Sequence, residues 1–304
     1  MRLLLIVNTT ASSVTARKRV VIRKALAADH EVEVAETSRR GHAMRLARAA
    51  ADEGVDVVAV LAGDGTLNEA ADGLAGTSTA LAPLPGGSTN VYARTLGIPM
   101  DAVDATGALL ASLERRAFHR VGLGSAGGRR FLFHAGFGFD AAVIEQVERR
   151  GDLKRFAPHP IFVTAAFDTW FRHYDRSHPR FSIRLDDGEV IDGCYFAVVS
   201  KTSPYTYLGT RALHIAPAAG LDTPLALTAF RRLDAITLLG AVASSMASGR
   251  FLSRRRGIVH RSGISSLTLT GDGPFPWQVD GDHLGDTEHL DVVYEPAALT
   301  LVVP

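Results

Sequence analysis

Short apolar strands alternate with helical segments through the first third of the 304-residue sequence. Apolar runs predict strands at Leu3–Asn8, Asp56–Ala62 and Ala80–Leu84, and alternating glutamate and valine predict another at Glu31–Ala35. Segments with helical spacing separate these strands. A chain that alternates in this way folds into a parallel sheet covered by helices. The sequence therefore predicts an N-terminal, doubly wound α/β domain.

The pattern changes near residue 120, where short strands and turns replace the alternation. Helical insertions are predicted from about Ala141 to His173 and from about Leu233 to Leu252. We therefore expect an α/β domain over residues 1–120 and an antiparallel, β-sandwich-like domain over residues 121–304. A return of the extreme C-terminus to the first domain is left open.

Composition limits the partners and the cellular location that are predicted for this chain. The formal net charge is +1, which gives no indication of nucleic-acid binding. Cys194 is the single cysteine, so no intramolecular disulfide forms, which fits a reducing cytoplasm. The longest apolar stretch, Ala235–Ala247, is too short to span a bilayer. We expect a cytoplasmic protein, which would reach any membrane-bound substrate from the inner membrane surface, and a homodimer is left open.

Glycine-rich loops follow two consecutive predicted strands. Residues 63–66 read Gly-Asp-Gly-Thr, and residues 85–90 read Pro-Gly-Gly-Ser-Thr-Asn. Glycines let the backbone approach a phosphate, and a helix N-terminus supplies unpaired N–H groups. Consecutive strands in a parallel sheet end at the same edge, so the two loops together predict a polyphosphate site. Asp64 would repel a phosphate unless a divalent cation lies between them.

These motifs resemble the catalytic domain of the diacylglycerol and sphingosine kinases. The resemblance rests on Gly-Asp-Gly-Thr-Leu-Asn-Glu at 63–69, Pro-Gly-Gly-Ser-Thr-Asn at 85–90 and Leu-Gly-Ile-Pro at 96–99. It implies two domains, the first of them similar to NAD kinase, with the active site in the cleft between them. Further matches in the family's order are Gly136–Ala141, Leu153–Phe156 and Asp280–Asp282, the last standing where the family carries Asp-Gly-Glu.

The resemblance also implies an activity and a set of site residues. The activity is transfer of phosphate from ATP, with Mg²⁺, to a lipid hydroxyl, most simply that of diacylglycerol. Asp282 would be the catalytic base, and Asp64 would act beside the phosphates. A metal site would involve Ala219, Asp222 and Pro224. Asp140 and Asp280 are the candidate substrate contacts. The implied nucleotide contacts are Asn8, Thr37, Ala62, Gly63, Asp64, Gly65, Thr66, Leu67, Asn68, Gly87, Ser88 and Thr89.

Other interpretations stay open at this point. Taken alone, Gly-Asp-Gly-Thr is also a common turn, Asp282 is also part of a tight Asp-Gly turn, and Asp140 is also a helix cap. An NAD kinase carries a similar Gly-Asp-Gly-Thr loop. A catalytically silent nucleotide- or lipid-binding protein is suggested by departures from the family pattern, which include Ala62 in place of Gly and Asp282 in place of Glu.

The lipid side of the hypothesis rests on two further groups of residues. An arginine cluster follows the apolar helix predicted near residues 233–252, and it is either a solvated helix end or a patch attracted to an anionic membrane. A slot for acyl chains would use phenylalanines, although these are core residues by default. The arginines are Arg250, Arg254, Arg255 and Arg256, and the phenylalanines are Phe133, Phe137, Phe162 and Phe167.

Overall fold

The structure, a computed structural model, describes residues 1–149, 168–249, 252 and 255–304. The chain divides into two compact units, which we call the first unit (1–123 with 296–304) and the second unit (124–295). Several residues singled out in the sequence lie outside the described residues, namely Leu153–Phe156, Phe162, Phe167, Arg250 and Arg254.

The first unit is a parallel α/β sheet, as the sequence predicted. Its strands pair in the order β2-β1-β3-β4, and every pair is parallel. The strands are β1 (Arg2–Val7), β2 (Glu31–Glu36), β3 (Val57–Ala62) and β4 (Ala80–Pro85), and the helices are α1 (Ala16–Leu26), α2 (His42–Asp52), α3 (Asp64–Leu74), α4 (Val91–Thr95) and α5 (Ala102–Glu114).

Helices cover both faces of this sheet. Alternate strand residues such as Leu3, Leu5 and Val57 share one hydrophobic cluster with residues of α1 and α5. Successive side chains of a strand point to opposite faces, so the buried Leu4 and Ile6 face the other side. There α2 and α3 pack against each other and against β1 and β3. The doubly wound arrangement is therefore confirmed.

The second unit is rich in antiparallel strands. Its elements are β5 (Phe118–Ala126, which begins in the first unit), β6 (Arg129–Phe131), β7 (His134–Gly138), α6 (Phe139–Arg149), a π-helical turn (Thr169–His173), β8 (Phe181–Leu185), β9 (Val190–Cys194), β10 (Phe196–Ser200), β11 (Thr206–Leu208), β12 (Arg211–Leu213), β13 (Leu225–Phe230), α7 (Ala235–Ala247), β14 (Ile258–Ile264), β15 (Ser266–Val279) and β16 (Asp282–Val302).

The long strand β15 organises the core of the second unit. Its first half pairs with β8 and its last residues pair with β7, which continues through β10 and β13 to β14. Side chains from these strands and from β6 form one buried cluster that includes Phe131, Phe137, Phe181 and Phe275. Phe137, proposed from the sequence to line an acyl slot, is therefore a core residue here.

The C-terminal segment belongs to the first unit. Residues 282–295 of β16 lie in the second unit, whereas residues 296–304 are grouped with the first. Thr300 and Leu301 pair in parallel with Ala80 and Leu81 of β4. The sheet of the first unit therefore gains a strand from the end of the chain.

Candidate active site

The predicted nucleotide contacts of the first unit lie along one edge of its sheet. Asn8, Thr37, Gly63 and Gly87 follow the carboxyl ends of β1, β2, β3 and β4 respectively. The Thr37 N–H donates to the carbonyl oxygen of Val7 at 2.9 Å, which joins the ends of β2 and β1. Ligands of open α/β sheets bind outside the carboxyl ends of the strands, and this is where the residues meet.

The Gly-Asp-Gly-Thr segment turns directly into helix α3. The helix begins at Asp64, so Gly65 and Thr66 lie in its first turn. Gly63 is extended (φ −88°, ψ 177°) and has no side chain to cap the helix. The first-turn N–H groups therefore keep the donor capacity that a capping side chain would otherwise use.

Side chains around this turn either link neighbouring elements by hydrogen bonds or pack in the interior. Asn8 Nδ2 donates to Thr66 Oγ1 at 3.1 Å, which ties the end of β1 to helix α3. Leu67 and Asn68 are buried. Because their side chains face the interior, we assign them to packing of α3 rather than to side-chain contacts with a nucleotide.

The two glycine-rich loops touch through their backbones. A Cβ atom placed on Gly87 would lie 2.7 Å from the Gly63 Cα atom. A Cβ on Gly86 would lie 2.9 Å from the Ala62 backbone nitrogen, and the Gly86 N–H donates to the Ala62 oxygen at 2.9 Å. Only glycine permits approaches this close. The loops after β3 and β4 therefore form one continuous platform.

Asp64 links the first loop to the helix that follows the second. Its Oδ2 accepts the Val91 N–H at 2.9 Å and its Oδ1 accepts the Tyr92 N–H at 3.1 Å. Burial raises the pKa of Asp64, and these two hydrogen bonds oppose the rise. The carboxylate thus holds the start of α4, a role that the sequence did not reveal.

The geometry around Asp64 does not form a set of Mg²⁺ ligands. Both carboxylate oxygens already accept N–H groups of α4. Among the described residues, no group of three or more His, Cys, Asp or Glu side chains is placed to hold a metal ion. The predicted catalytic role of Asp64 stays a prediction, and its observed contacts are structural.

Asn90 closes the second loop. It adopts the left-handed conformation (φ 48°), its Oδ1 accepts the Gly87 N–H at 2.8 Å, and its Nδ2 donates to the Gly87 oxygen at 2.8 Å. Asparagine tolerates this conformation better than most residues. Ser88 is exposed and Thr89 is half-buried, so both residues of the second loop reach solvent.

In the second unit, Asp280 is a structural carboxylate. Its oxygens accept the N–H groups of Leu132, Phe133 and His134 at 2.7, 3.1 and 2.9 Å. Asp280 is buried, so it holds this backbone segment in place. Its predicted role as a substrate contact stays a prediction, and its observed contacts are structural.

Asp282 occupies a different environment two residues later. Asp280 (φ 47°) and Gly281 (φ 85°) form a two-residue turn between β15 and β16, and Val279 pairs with Asp282 across it. Positive φ at both turn residues is typical of a type I′ hairpin. The Asp282 side chain is 25% exposed, and its Oδ2 lies 3.9 Å from Nη2 of Arg129. Of the two carboxylates, only Asp282 reaches solvent to this extent.

A buried network supports the same hairpin. Tyr205 donates its hydroxyl to Asp140 Oδ1 at 2.6 Å, and Gln278 Nε2 donates to Asp140 Oδ2 at 2.8 Å. Gln278 Oε1 in turn accepts the Gly281 N–H at 2.8 Å. A Cβ on Gly136 would overlap the Asp140 carboxylate, so glycine is required there. Asp140 therefore connects α6 to the turn beside Asp282.

Burial dominates the electrostatics of this network. It raises the pKa of Asp140, and the hydrogen bonds from Tyr205 and Gln278 oppose that rise. Asp140 lies in the first turn of α6 and not at a capping position, so the helix-cap interpretation is not observed. Its role as a substrate contact stays a prediction.

The loop predicted to bind a metal holds a lysine instead. Lys201 is buried, and its Nζ donates to the carbonyl oxygens of Gly220 and Leu221 at 2.7 and 2.9 Å. Burial lowers the pKa of Lys201 to about 8, while Asp222 raises it, so the amine keeps its proton at pH 7. An ammonium group in contact with the loop would repel a divalent cation. The metal site implied at Ala219, Asp222 and Pro224 does not fit this geometry.

Comparison with known proteins agrees with the geometry of the first unit. The family profile described as "Diacylglycerol kinase catalytic domain" matches residues 2–121. The match covers about two fifths of the chain and includes both glycine-rich loops. Over the full chain, a solved structure described as a diacylglycerol kinase from Bacillus anthracis superposes with a TM-score of 0.74 at 20% identity, and the match covers 100% of this chain and 97% of that one. At that identity the superposition establishes the fold alone.

Curated relatives match over a shorter stretch. A protein named "Probable lipid kinase YegS-like" from Chromohalobacter salexigens is 35% identical over 129 residues, which is 41% of this chain and 40% of that protein. A "Diacylglycerol kinase" from Bacillus subtilis is 33% identical over 121 residues, which is 39% of each chain. The matched stretch thus spans about two fifths of the length of these relatives.

Sequence reasoning missed three supporting residues. Glu69 accepts the N–H groups of Gly41 and Ala43 at 2.7 and 3.2 Å and so holds the start of α2. Gln278 supports the hairpin turn, and Lys201 holds the loop at 220–221. Glu69 is the last residue of the motif at 63–69, and this position could have indicated its structural role. Lys201 could have been noticed as a charged residue that ends an apolar strand.

Replacing Lys201 by Met is expected to destabilise the protein by about 1–3 kcal/mol, because two carbonyl groups lose their donor. Adding EDTA is expected to leave the melting temperature of the parent unchanged, since the lysine takes the place of a cation. Thermal unfolding of parent and variant, with and without EDTA, tests both statements. A chelator-dependent drop in the parent's melting temperature would show that this loop holds a metal after all.

Proposed function

We propose that this protein is an ATP-dependent lipid kinase that phosphorylates the hydroxyl group of diacylglycerol and produces phosphatidic acid. The observation that carries the proposal is the contact between Gly63 and Gly87, which joins two phosphate-binding loops at the ends of neighbouring parallel strands. The family profile that matches residues 2–121 and the names of the curated relatives support the same class of reaction.

The first unit would bind the phosphates of ATP. The uncapped first turn of α3, at Asp64, Gly65 and Thr66, directs backbone N–H groups and the positive end of the helix dipole towards a ligand. The hydroxyl groups of Ser88 and Thr89 add donors from the second loop. In a loose phosphoryl-transfer transition state, negative charge spreads over the equatorial oxygens, and such fixed donors stabilise it.

The second unit would supply the base. The acceptor oxygen forms a bond to the γ-phosphorus while the bond to the β,γ-bridging oxygen breaks and ADP leaves. The hydroxyl proton passes to a carboxylate of Asp282, which is partly exposed. Asp140 and Gln278 act through the hairpin, because their hydrogen bonds fix the turn that precedes Asp282. We regard both as positioning residues.

The deciding experiment is a phosphorylation assay with γ-labelled ATP. A total bacterial lipid extract, purified diacylglycerol and NAD are offered separately, and the products are separated by thin-layer chromatography. We expect label in a product that migrates with phosphatidic acid. Label in the nucleotide product instead would identify an NAD kinase, and ATP binding without turnover of any acceptor would identify a silent relative.

A diacylglycerol acceptor also requires access to a lipid surface. No helix in the described part of the chain is long and apolar enough to cross a bilayer. Because diacylglycerol resides in a bilayer, we propose that the protein reaches its substrate by binding to the membrane surface, at the cytoplasmic face.

A further inference from the structure

Helix α7 presents apolar side chains to solvent and polar side chains to the protein interior. The segment Ala235–Ala247 contains no charged residue, and Thr237, Ser244 and Ser245 are among its buried positions. A surface helix of a globular protein normally has the opposite arrangement. The exposed side chains are Ile236 (83%), Leu239 (66%), Val242 (53%) and Met246 (36%).

These four residues form one continuous surface, which we call the α7 face. Their spacing of three or four residues places them on the same side of the helix. Strand β12 packs against α7, and its partner β11 exposes Leu208. The α7 face is therefore larger than the single exposed apolar residues that any protein surface contains.

Arginines surround one end of the α7 face. Arg231 and Arg232 are exposed and precede the helix, and Arg256 is exposed on a neighbouring segment. The Arg231 N–H donates to the Gly257 oxygen at 2.7 Å, which brings the two segments together. The Arg255 guanidinium lies against Gly240 of the helix.

The nearby acidic group does not cancel this charge. Asp234, the residue before α7, accepts hydrogen bonds from the Thr237 N–H at 2.9 Å and the Thr237 hydroxyl at 2.8 Å. It is the single acidic residue between Arg231 and Gly249, whereas four arginines lie at positions 231, 232, 255 and 256. An apolar surface with a positive border results.

We propose that the α7 face inserts into the interfacial layer of an anionic lipid bilayer, with the bordering arginines on the lipid headgroups. This inference rests on the proposed function and names the surface through which the enzyme would reach its lipid. Helices that lie in a membrane interface bury an apolar face and place basic residues near anionic headgroups. The α7 face has both features.

A second copy of the chain fits this surface less well. In a two-fold symmetric dimer the same patch lies on both sides of the interface. Such a contact would bury the apolar side chains but would offer the arginine border no opposite charge from the same patch of the partner. An anionic bilayer supplies apolar volume and opposite charge together.

The test is co-sedimentation of the purified protein with vesicles of phosphatidylcholine that contain phosphatidylglycerol. The variant Ile236→Ser/Leu239→Ser/Val242→Ser is expected to bind at least about tenfold more weakly than the parent, because it removes most of the insertable apolar area. The matched control is Val34→Ser/Val103→Ser/Val190→Ser, three exposed aliphatic residues outside α7, which is expected to bind like the parent. Circular dichroism checks that both variants are folded.

Charge is tested separately with Arg232→Ser/Arg256→Ser. This variant is expected to lose affinity only for vesicles that contain phosphatidylglycerol, and its binding is expected to depend less on salt. Parent-like vesicle binding by the α7 variant, or failure of the parent to bind, would overturn the proposal. So would a parent dimer that becomes monomeric in the α7 variant while vesicle binding is unchanged.

The kinase assay distinguishes this inference from the proposed function. With a short-chain diacylglycerol dispersed in detergent, the α7 variant is expected to turn over like the parent, since the phosphate loops and Asp282 are untouched. If the parent binds vesicles but phosphorylates no lipid, the proposed function is contradicted, whereas the α7 face remains supported as the membrane-binding surface. If the parent is active in detergent and the α7 variant phosphorylates lipid in vesicles as fast as the parent, the proposed membrane surface alone is contradicted.

Discussion

Replacing Asp282 by Asn is expected to lower lipid phosphorylation by about 10²–10⁴-fold, the usual contribution of a positioned proton acceptor. Asn has almost the same size as Asp but cannot accept the hydroxyl proton. Because the Asp282 side chain is 25% exposed and its ion pair with Arg129 spans 3.9 Å, the substitution is expected to change the melting temperature little. Steady-state assays with diacylglycerol measure the loss, and calorimetry with ATP checks that nucleotide affinity is retained.

Asp280 provides a matched control two residues away. Asp280→Asn suits the positive φ of 47° at this position, but the neutral amide cannot replace a carboxylate that accepts three backbone N–H groups. We expect a loss of about 1–3 kcal/mol in stability. The two Asn variants should therefore differ, with activity lost at position 282 and stability lost at position 280.

Restoring the carboxylate gives the final comparison at this site. Asp282→Glu is expected to retain more activity than Asp282→Asn, because it keeps a proton acceptor that is longer by one methylene group. If Asp282→Asn turns over diacylglycerol at the parent's rate, the base is another residue. If the melting temperature falls as far in Asp282→Asn as in Asp280→Asn, the carboxylate at 282 is structural as well.

The parallel sheet could be predicted because its signals are local. Strands β1, β3 and β4 are apolar runs and β2 alternates glutamate with valine or alanine. The predicted Asp56–Ala62 differs from the observed β3 by one residue. The order of the glycine-rich loops along the chain was sufficient to place them at one edge. Their direct contact through Gly63 and Gly87 could not be predicted, because it depends on how closely β3 and β4 bring the two backbones together.

The roles of the acidic residues were harder to predict, because the same side chain can bind a ligand or hold a backbone segment. Asp64 and Asp280 were both assigned to function from motifs, yet each accepts backbone N–H groups from segments distant in sequence. Neither partner segment carries a sequence signal that would reveal the contact. Asp282 differs from Asp280 in exposure and in its partners, and both are properties of the folded hairpin.

Replacing Gly87 by Ala is expected to weaken ATP binding by at least about tenfold, which corresponds to about 1.4 kcal/mol of binding free energy. The new Cβ would lie 2.7 Å from the Gly63 Cα atom, so the two loops must move apart. Overpacking of this kind costs about 1–3 kcal/mol, which a domain of ordinary stability survives. Calorimetric titration with ATP measures the affinity, and the melting temperature confirms that the variant is folded.

Gly107 offers a glycine control in the same unit. It lies inside α5, and a Cβ there would meet no atom within 4 Å, so Gly107→Ala is expected to preserve ATP affinity and to stabilise the helix slightly. Ser88→Asp tests the platform without disturbing its packing, because Ser88 is exposed. A negative charge beside the phosphates is expected to weaken ATP binding at least about tenfold. If Gly87→Ala and Ser88→Asp both bind ATP like the parent, the paired loops are a structural junction, and the nucleotide must bind at another site.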